Sequence, residues 1–319
     1  MKPLRIVFMG TPEFAVPSLT IIARSPHSIV GVVTQPDRPR GRGQKRLPPP
    51  IKMAALELGI SPILQPERLG DPQFIAQLTQ LKADLFVVVA FRILPESVFT
   101  IPPLGTINLH PSLLPRYRGA APIHWAIIQG ETTTGVTTIF IRKEVDAGNI
   151  ILQKSVPIRE GETAGELHDR LATIGAELLL ETINRIATGT VPPLKPQDPR
   201  LVTHAPKLTR EIAQLNFQQP AHRVQQWILG LSPYPGAYTY WRDKQLKIYH
   251  ARALDEAVTA DPGTIVQLSE EGLIVACQPG KIVLTEVQLE GKKRMSAGAF
   301  IRGYRPRVGE KLGEKTPVN

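Results

Sequence analysis

"DLFVVVAFRILP", residues 84–95, sets Leu85 to Val89 as an unbroken apolar run behind an aspartate, then turns polar and ends on proline. Alternating apolar and polar residues would mark a strand with one wet face, whereas an unbroken run of this length marks a strand buried on both. Helices must then cover both faces, and a parallel α/β sheet supplies them. Outward from this run the same pattern recurs in "LRIVFMG" (4–10), "SIVGVVT" (28–34) and "GTINLH" (105–110), with helical spacing near 14–24, 50–59 and 72–80. The expected fold class is therefore α/β, beginning with a Rossmann-like parallel sheet. Ligands of such sheets bind beyond the carboxyl ends of the strands, which points at 10–13, 34–37, 90–94 and 110–118.

Further along, "GVTTIFIR" (135–142) and "GNIILQKSVPI" (148–158) read as two more strands around "KEVDAG", and apolar spacing predicts a helix over 163–188. The next stretch, "GTVPPLKPQDPRLVTHAPKLTREIAQ", carries five prolines and reads as a linker. Beyond it lie one amphipathic segment, "PAHRVQQWILGL", and five short strand patterns separated by turn signals. A small β-barrel of the oligonucleotide-binding kind fits that spacing, and a plain sandwich would look similar. The expected division is an α/β domain over 1–189, a linker over 190–206 and a β-barrel domain over 207–319.

The 319 residues suffice for two cores, and no apolar run approaches the ~20 residues of a membrane span. The opening "MKPLRIVFMGTPEF" reads as a first strand rather than a signal peptide, so a cytoplasmic protein is expected. One cysteine, Cys277, excludes an internal disulfide framework, and its place in "GLIVAC" suggests a buried, inert thiol. The seven histidines show no metal-ligand spacing, and no metal is expected. Nor is a nicotinamide cofactor, because "FMGTPEF" lacks the G-x-G-x-x-G spacing; Gly10 to Pro12 reads as a structural turn.

Net charge is +10. Arg38, Arg40, Arg42, Lys45, Arg46 and Lys52 face only Asp37 between 37 and 52, an excess of five. From Lys207 onward sixteen Lys and Arg meet eleven Asp and Glu, an excess of five again. The positive charge is thus confined to one loop and the terminal segment, a distribution that suits a polyanionic partner. A merely solvated basic loop is the plainer reading of 35–50.

In "GTINLHPS" a strand closes on Ile107 to His110, so Asn108 and His110 project from one face and Leu109 from the other. A carboxamide donor beside an imidazole suits acyl transfer to an amine: the first can stabilise an oxyanion and the second can move a proton. Asp146, in a turn, could orient the histidine and favour its protonated form. Each residue also has a plain explanation, as a turn cap, a core histidine and a turn aspartate.

Several motifs together carry a resemblance. "GTINLHPSLLPRYRGAAPI", "FMGTPEFAVPSL", "VVTQPDRPRGRGQKRLPPPIK", "DLFVVVAFRILP" and the Val-Asp-Ala-Gly turn resemble the folate-dependent formyltransferase family, and within it the branch that acts on initiator methionyl-tRNA. The resemblance runs through most of the chain. It implies a formyl group passed from 10-formyltetrahydrofolate, as co-substrate, to the α-amino group of methionine on initiator tRNA. Carried over, Asn108, His110 and Asp146 are catalytic; Phe91, Arg92, Ile93, Leu94, Ser112, Leu113, Leu114, Pro115 and Arg116 bind folate, with Arg116 and Arg118 near its glutamate tail. Arg38, Arg40, Arg42, Lys45, Arg46, Lys292, Lys293 and Arg294 would meet tRNA. A monomer is expected. The chain departs from the family's usual Tyr-Gly at Phe91-Arg92 and from its usual acidic residue at Asn216.

Three other readings stay open on sequence alone. A formyltransferase acting on a small amine, such as glycinamide ribonucleotide or an amino sugar, would need neither the basic loop nor the extra domain. A non-catalytic RNA-binding protein would need the basic surface but not His110. A hydrolase built on Ser112 and His110 lacks a G-x-S-x-G elbow.

Overall fold

The computed structural model describes residues 2–40 and 45–313. The chain forms two compact units: one of Met1–Gly119, Thr134–Val156 and His168–His204, the other of Ala120–Thr133, Pro157–Leu167 and Ala205–Asn319.

The strands of the first part of the chain are β1 (Arg5–Gly10), β2 (Ser28–Val33), β3 (Arg38–Arg40), β4 (Lys45–Leu47), β5 (Ile63–Leu64), β6 (Leu85–Val89), β7 (Thr106–His110), β8 (Arg118–Gly119), β9 (Thr133–Phe140) and β10 (Ile150–Pro157). Seven of them make one sheet in the order β10-β9-β7-β6-β1-β2-β5. The body from β7 to β5 is parallel. β6, the unbroken apolar run, is buried throughout and lies between β1 and β7. The order reverses between β1 and β6, which is the switch point where such sheets open a crevice at the carboxyl ends of their strands.

β9 runs antiparallel to β7, with Ile107 opposite Phe140 and His110 opposite Thr137. After β7 the chain re-enters the sheet from the same end by which it left, so its next strand must run back along β7.

Helices α1 (Val16–Ala23), α2 (Pro50–Glu57), α3 (Pro72–Gln80), α4 (Glu96–Phe99), α5 (Pro122–Ile128) and α6 (Ala164–Thr188) are interspersed with these strands along the chain. Local chemistry explains their starts. Pro17, Pro50 and Pro72 each occupy a first-turn position, where a missing N–H costs nothing, and Asp71 caps α3 by accepting from the Gln73 N–H at 2.8 Å. Gly10 closes β1 because a Cβ there would strike Ala15 and the Val89 carbonyl, which makes the "FMGTPEF" turn a packing device.

In the second unit, α7 (Ala221–Leu231) accompanies β12 (Ala237–Trp241), β13 (Lys244–Leu254), β14 (Ile265–Leu268), β15 (Leu273–Ala276), β16 (Lys281–Leu289) and β17 (Met295–Ser296). β11 (His204–Ala205) lies earlier in the chain, where the first unit gives way to the second. The antiparallel order is β12-β13-β16-β15-β14. Residues 310–313 bridge both outer strands: Gly313 exchanges hydrogen bonds with Tyr240, and the Leu312 N–H donates to the Gly263 carbonyl just before β14. The sheet edges are thereby covered, as in a small barrel. α8 (Ala297–Tyr304), which the sequence pattern did not reveal, is capped by Ser296 and inserts Phe300, fully buried, against Trp241.

Cys277 lies in this core, and burial pushes its thiol pKa up to about 12. The thiolate is the reactive species. Iodoacetamide at pH 8 is therefore expected to leave the folded protein unmodified and to label it stoichiometrically in denaturant, as read by intact mass. Labelling of the native protein would contradict the inert reading.

Candidate active site

β7 presents Asn108 and His110 on one face, while Leu109 packs the other, filling the space a Cβ would need at Gly175 of α6. The backbone of Asn108 is flanked by Val88 on one side and Ile139 on the other, so its position is held by the sheet. Its side chain is half-buried and hydrogen-bonds to none of the described residues. A carboxamide on a backbone held by the sheet, with no hydrogen bond to the described residues, is a donor available to a ligand.

His110 is 4% exposed. Its Nε2 lies 2.9 Å from the Tyr117 carbonyl, which can only accept, so Nε2 carries the proton. In the neutral ring Nδ1 then holds the lone pair, and it faces Asp146 Oδ1 at 3.6 Å. That separation exceeds a hydrogen bond and sets the carboxylate within ion-pair reach of the ring.

Asp146 sits in the left-handed region, φ 53°, an uncommon conformation for a residue with a Cβ. Its neighbours hold it there. Oδ2 accepts from the Gly119 N–H at 2.9 Å, and the Asp146 carbonyl accepts from Gln197 Nε2 at 2.7 Å. Gly148 follows because a Cβ there would collide with the Phe140 carbonyl, so the Asp-Ala-Gly turn reflects close approach to the end of β9.

The loop after β7 is stitched to β9 and β10. The Ser112 carbonyl accepts from Thr137 Oγ1, which in turn accepts from the Leu114 N–H, and Gln153 Nε2 donates to the Leu114 carbonyl. Ser112 Oγ donates to the Arg116 carbonyl at 2.6 Å, so its hydroxyl is spent inside the loop and the hydrolase reading loses its nucleophile. Leu114 is buried beside Ile139 and Ile150. Leu113 and Pro115 are half-buried, and Arg116 is exposed with its guanidinium over the Tyr117 ring. Arg118 gives two donors to Gln197 Oε1.

The loop after β6 is adjacent through the β6–β7 pairing. Ile93 is 73% exposed, whereas Leu94 enters the core cluster with Phe86 and Val98 and half-buried Phe91 packs against it. Arg92 binds the Pro66 and Glu67 carbonyls, and burial together with the charge of Arg38 holds its guanidinium below the usual arginine range.

The basic segment forms a two-stranded ribbon, with Arg38 opposite Leu47, Pro39 opposite Arg46 and Arg40 opposite Lys45. Arg42 lies outside the described residues. At the ribbon's base Lys52 and Gln65 both bind Asp37, and the Gln65 and Lys52 hydrogen bonds hold that carboxyl below its usual range. Arg38 and Arg46 are exposed. In the second unit Lys292 and Lys293 are exposed, while Arg294 grips Glu286 with both arms and stacks on Tyr249. Asn216 caps a turn by accepting from the Gln218 N–H.

The structure thus brings His110 and Asp146 together and leaves Asn108, on the same face of β7 as His110, without a hydrogen bond to the described residues. It also shows partners that sequence reasoning missed: the Tyr117 carbonyl, the Gly119 N–H, Thr137 and Gln197. Nothing local flags these, since a carbonyl, an amide or a loop glutamine looks alike in any turn. Among the described residues no cluster of three or more His, Cys, Asp or Glu could hold a metal ion, and no helix is long and apolar enough to cross a membrane.

The chain is similar to known proteins over most of its length. A formyl transferase family profile matches residues 4–183, and a formyl transferase C-terminal domain profile matches 207–305. A methionyl-tRNA formyltransferase of Moorella thermoacetica is 49% identical over 97% of this chain and 99% of its own. Another, of Syntrophus aciditrophicus, is 46% identical over 98% of this chain and 100% of its own. Among solved structures, the N-formyltransferase of Helicobacter canadensis, in complex with folinic acid and dTDP-3-aminofucose, aligns over 88% of this chain and 98% of that one. Its TM-score is 0.67 at 22% identity, a likeness of fold.

Proposed function

The chain belongs to the formyl transferase family, and on that footing we propose that it transfers a formyl group from 10-formyltetrahydrofolate to the α-amino group of methionine on initiator methionyl-tRNA, a step of translation initiation. One observation carries the reading of the site. An Asn108 carboxamide with no hydrogen bond to the described residues stands on the same strand face as a histidine whose Nε2 is tied to a carbonyl and whose Nδ1 faces a carboxylate.

The reaction forms a bond between the amine nitrogen and the formyl carbon, breaks the bond from that carbon to the folate nitrogen, and moves one proton from the first nitrogen to the second. 10-Formyltetrahydrofolate supplies the activated formyl group. Asn108 donates to the formyl oxygen as negative charge builds there. His110 Nδ1 accepts the proton of the attacking amine and returns it to the departing nitrogen. Asp146 stabilises the imidazolium between those two events. No covalent enzyme intermediate is needed.

The residues present suit a flat, partly apolar folate ring. Exposed Ile93 and half-buried Phe91 and Leu113 offer apolar contact on two neighbouring loops, and exposed Arg116 offers charge to the glutamate tail. Arg92, Leu94, Ser112, Leu114 and Pro115 shape those loops. We assign catalysis and folate to residues 1–189, a linker to 190–206 and tRNA binding to 207–319 together with the basic ribbon. The protein acts as a cytoplasmic monomer without a metal.

The test is turnover of purified protein with 10-formyltetrahydrofolate and, in parallel, methionyl-tRNA, glycinamide ribonucleotide and a nucleotide-linked amino sugar. Formylation of methionyl-tRNA alone is expected; an equal rate on a small amine would sink the assignment. A second expectation concerns charge. Arg38→Ala with Arg46→Ala should raise KM for tRNA, leave folate affinity unchanged and flatten the salt dependence of tRNA binding by roughly one unit of log–log slope for each phosphate no longer neutralised. An unchanged slope in a fluorescence titration would remove the ribbon from the tRNA interface.

A further inference from the structure

Gln197 spends its entire carboxamide on the turn that carries Asp146. Nε2 donates to the Asp146 carbonyl at 2.7 Å and to the Gly148 carbonyl at 2.8 Å, while Oε1 accepts from Arg118 Nε at 3.0 Å and Nη2 at 2.6 Å. The amide can sit only this way round, since flipping it would set its oxygen against two carbonyls and its NH2 against a guanidinium. Its approach is fixed two residues earlier, where Lys195 pairs with Ile150 through two backbone hydrogen bonds.

The same stretch also holds the opposite wall. The Thr203 carbonyl accepts from the Arg118 N–H and Thr203 Oγ1 from the Tyr117 N–H, next to the carbonyl that anchors His110 Nε2. Arg118 in turn precedes Gly119, whose N–H binds Asp146 Oδ2. Gln197 therefore joins the two backbone segments between which Asp146 is set. Asp146 has the left-handed backbone of a residue that persists only when its surroundings over-determine it.

We infer that Gln197 is a positioning residue for formyl transfer, acting through Asp146 by holding its carboxylate against His110 Nδ1. The inference rests on the formyl-transfer reading of the site. The proline-bracketed segment from 190 to 206 is then part of the catalytic apparatus as well as a connection between regions of the chain.

Gln197→Ala is expected to lower kcat on the order of 10- to 100-fold, the scale of losing a supporting hydrogen bond that places a reacting group, with KM for both substrates unchanged. Gln197→Glu should do no better, because it keeps acceptors for Arg118 but cannot donate to the two carbonyls. In an Asp146→Asn background Gln197→Ala should cost less than about 2-fold more, since a residue that works through another has nothing left to lose. A second readout needs no substrate. Amide exchange at Gly119, measured by NMR, should accelerate in Gln197→Ala, while the core amides of β6 keep their protection.

Equal losses in both backgrounds, recovery by Gln197→Glu, or an unaltered Gly119 amide would overturn the inference. A parent enzyme that fails to formylate methionyl-tRNA would instead overturn the functional reading, and the Gly119 exchange alone would then decide the role of Gln197.

Discussion

His110→Ala is expected to lower kcat by about 100- to 10,000-fold, the range that a positioned general acid–base contributes, while leaving folate binding intact. The ring is almost fully buried and both nitrogens are accounted for: Nε2 on the Tyr117 carbonyl and Nδ1 toward Asp146. Alanine removes the base and also leaves that carbonyl without its donor, so part of any loss would be structural. His110→Asn separates the two effects. An asparagine offers a donor for the carbonyl but no titratable base, and its kcat should fall into the same range as that of alanine with a smaller drop in Tm. Single-turnover formylation of methionyl-tRNA at saturating donor is the measurement, and a His110→Asn rate within tenfold of the parent would remove His110 from the proton path.

Asn108→Ala is expected to reduce kcat by about 100- to 1,000-fold, corresponding to the ~2.7–4 kcal/mol carried by one oxyanion donor. This site allows a cleaner test than most. The Asn108 side chain makes no hydrogen bond to the described residues, so its truncation leaves no buried partner stranded, and Tm should stay within a degree or two. Loss of rate without loss of stability distinguishes a donor to the reacting oxygen from a structural cap. Asn108→Asp should be worse still, because it replaces a donor with a negative charge beside the oxygen on which charge develops. A kcat for Asn108→Ala close to that of the parent would transfer the oxyanion role elsewhere.

Both experiments bear on the same geometry, and how much of it is legible in the sequence differs from residue to residue. The unbroken run of β6 indicates a sheet covered on both faces because burial on two sides removes the need for alternation. The period of two in β7 puts Asn108 and His110 together, and Pro111 marks where the strand stops. The direction of β9 is not legible, since the pattern of a strand is the same read up or down the sheet. The family resemblance groups Leu94 and Ser112 with the folate-binding residues, yet Leu94 faces the core and the Ser112 hydroxyl is consumed within its own loop. Spacing alone does not tell which side of a loop a side chain takes.

The amino-acid order by itself determined the strand and helix periods, the placement of the carboxamide and imidazole on one face, and the gathering of positive charge into two segments, because these depend on neighbours along the chain. Only the tertiary structure decided that Asp146 stands 3.6 Å from His110, that the Tyr117 carbonyl selects the ring's protonated nitrogen, and that Gln197 braces the turn between them. The Asp146 and Gln197 contacts join segments far apart in sequence, and the Tyr117 contact depends on how the loop after β7 folds back on the ring. Their strength depends on distances of a few tenths of an ångström, which packing sets and no local pattern encodes.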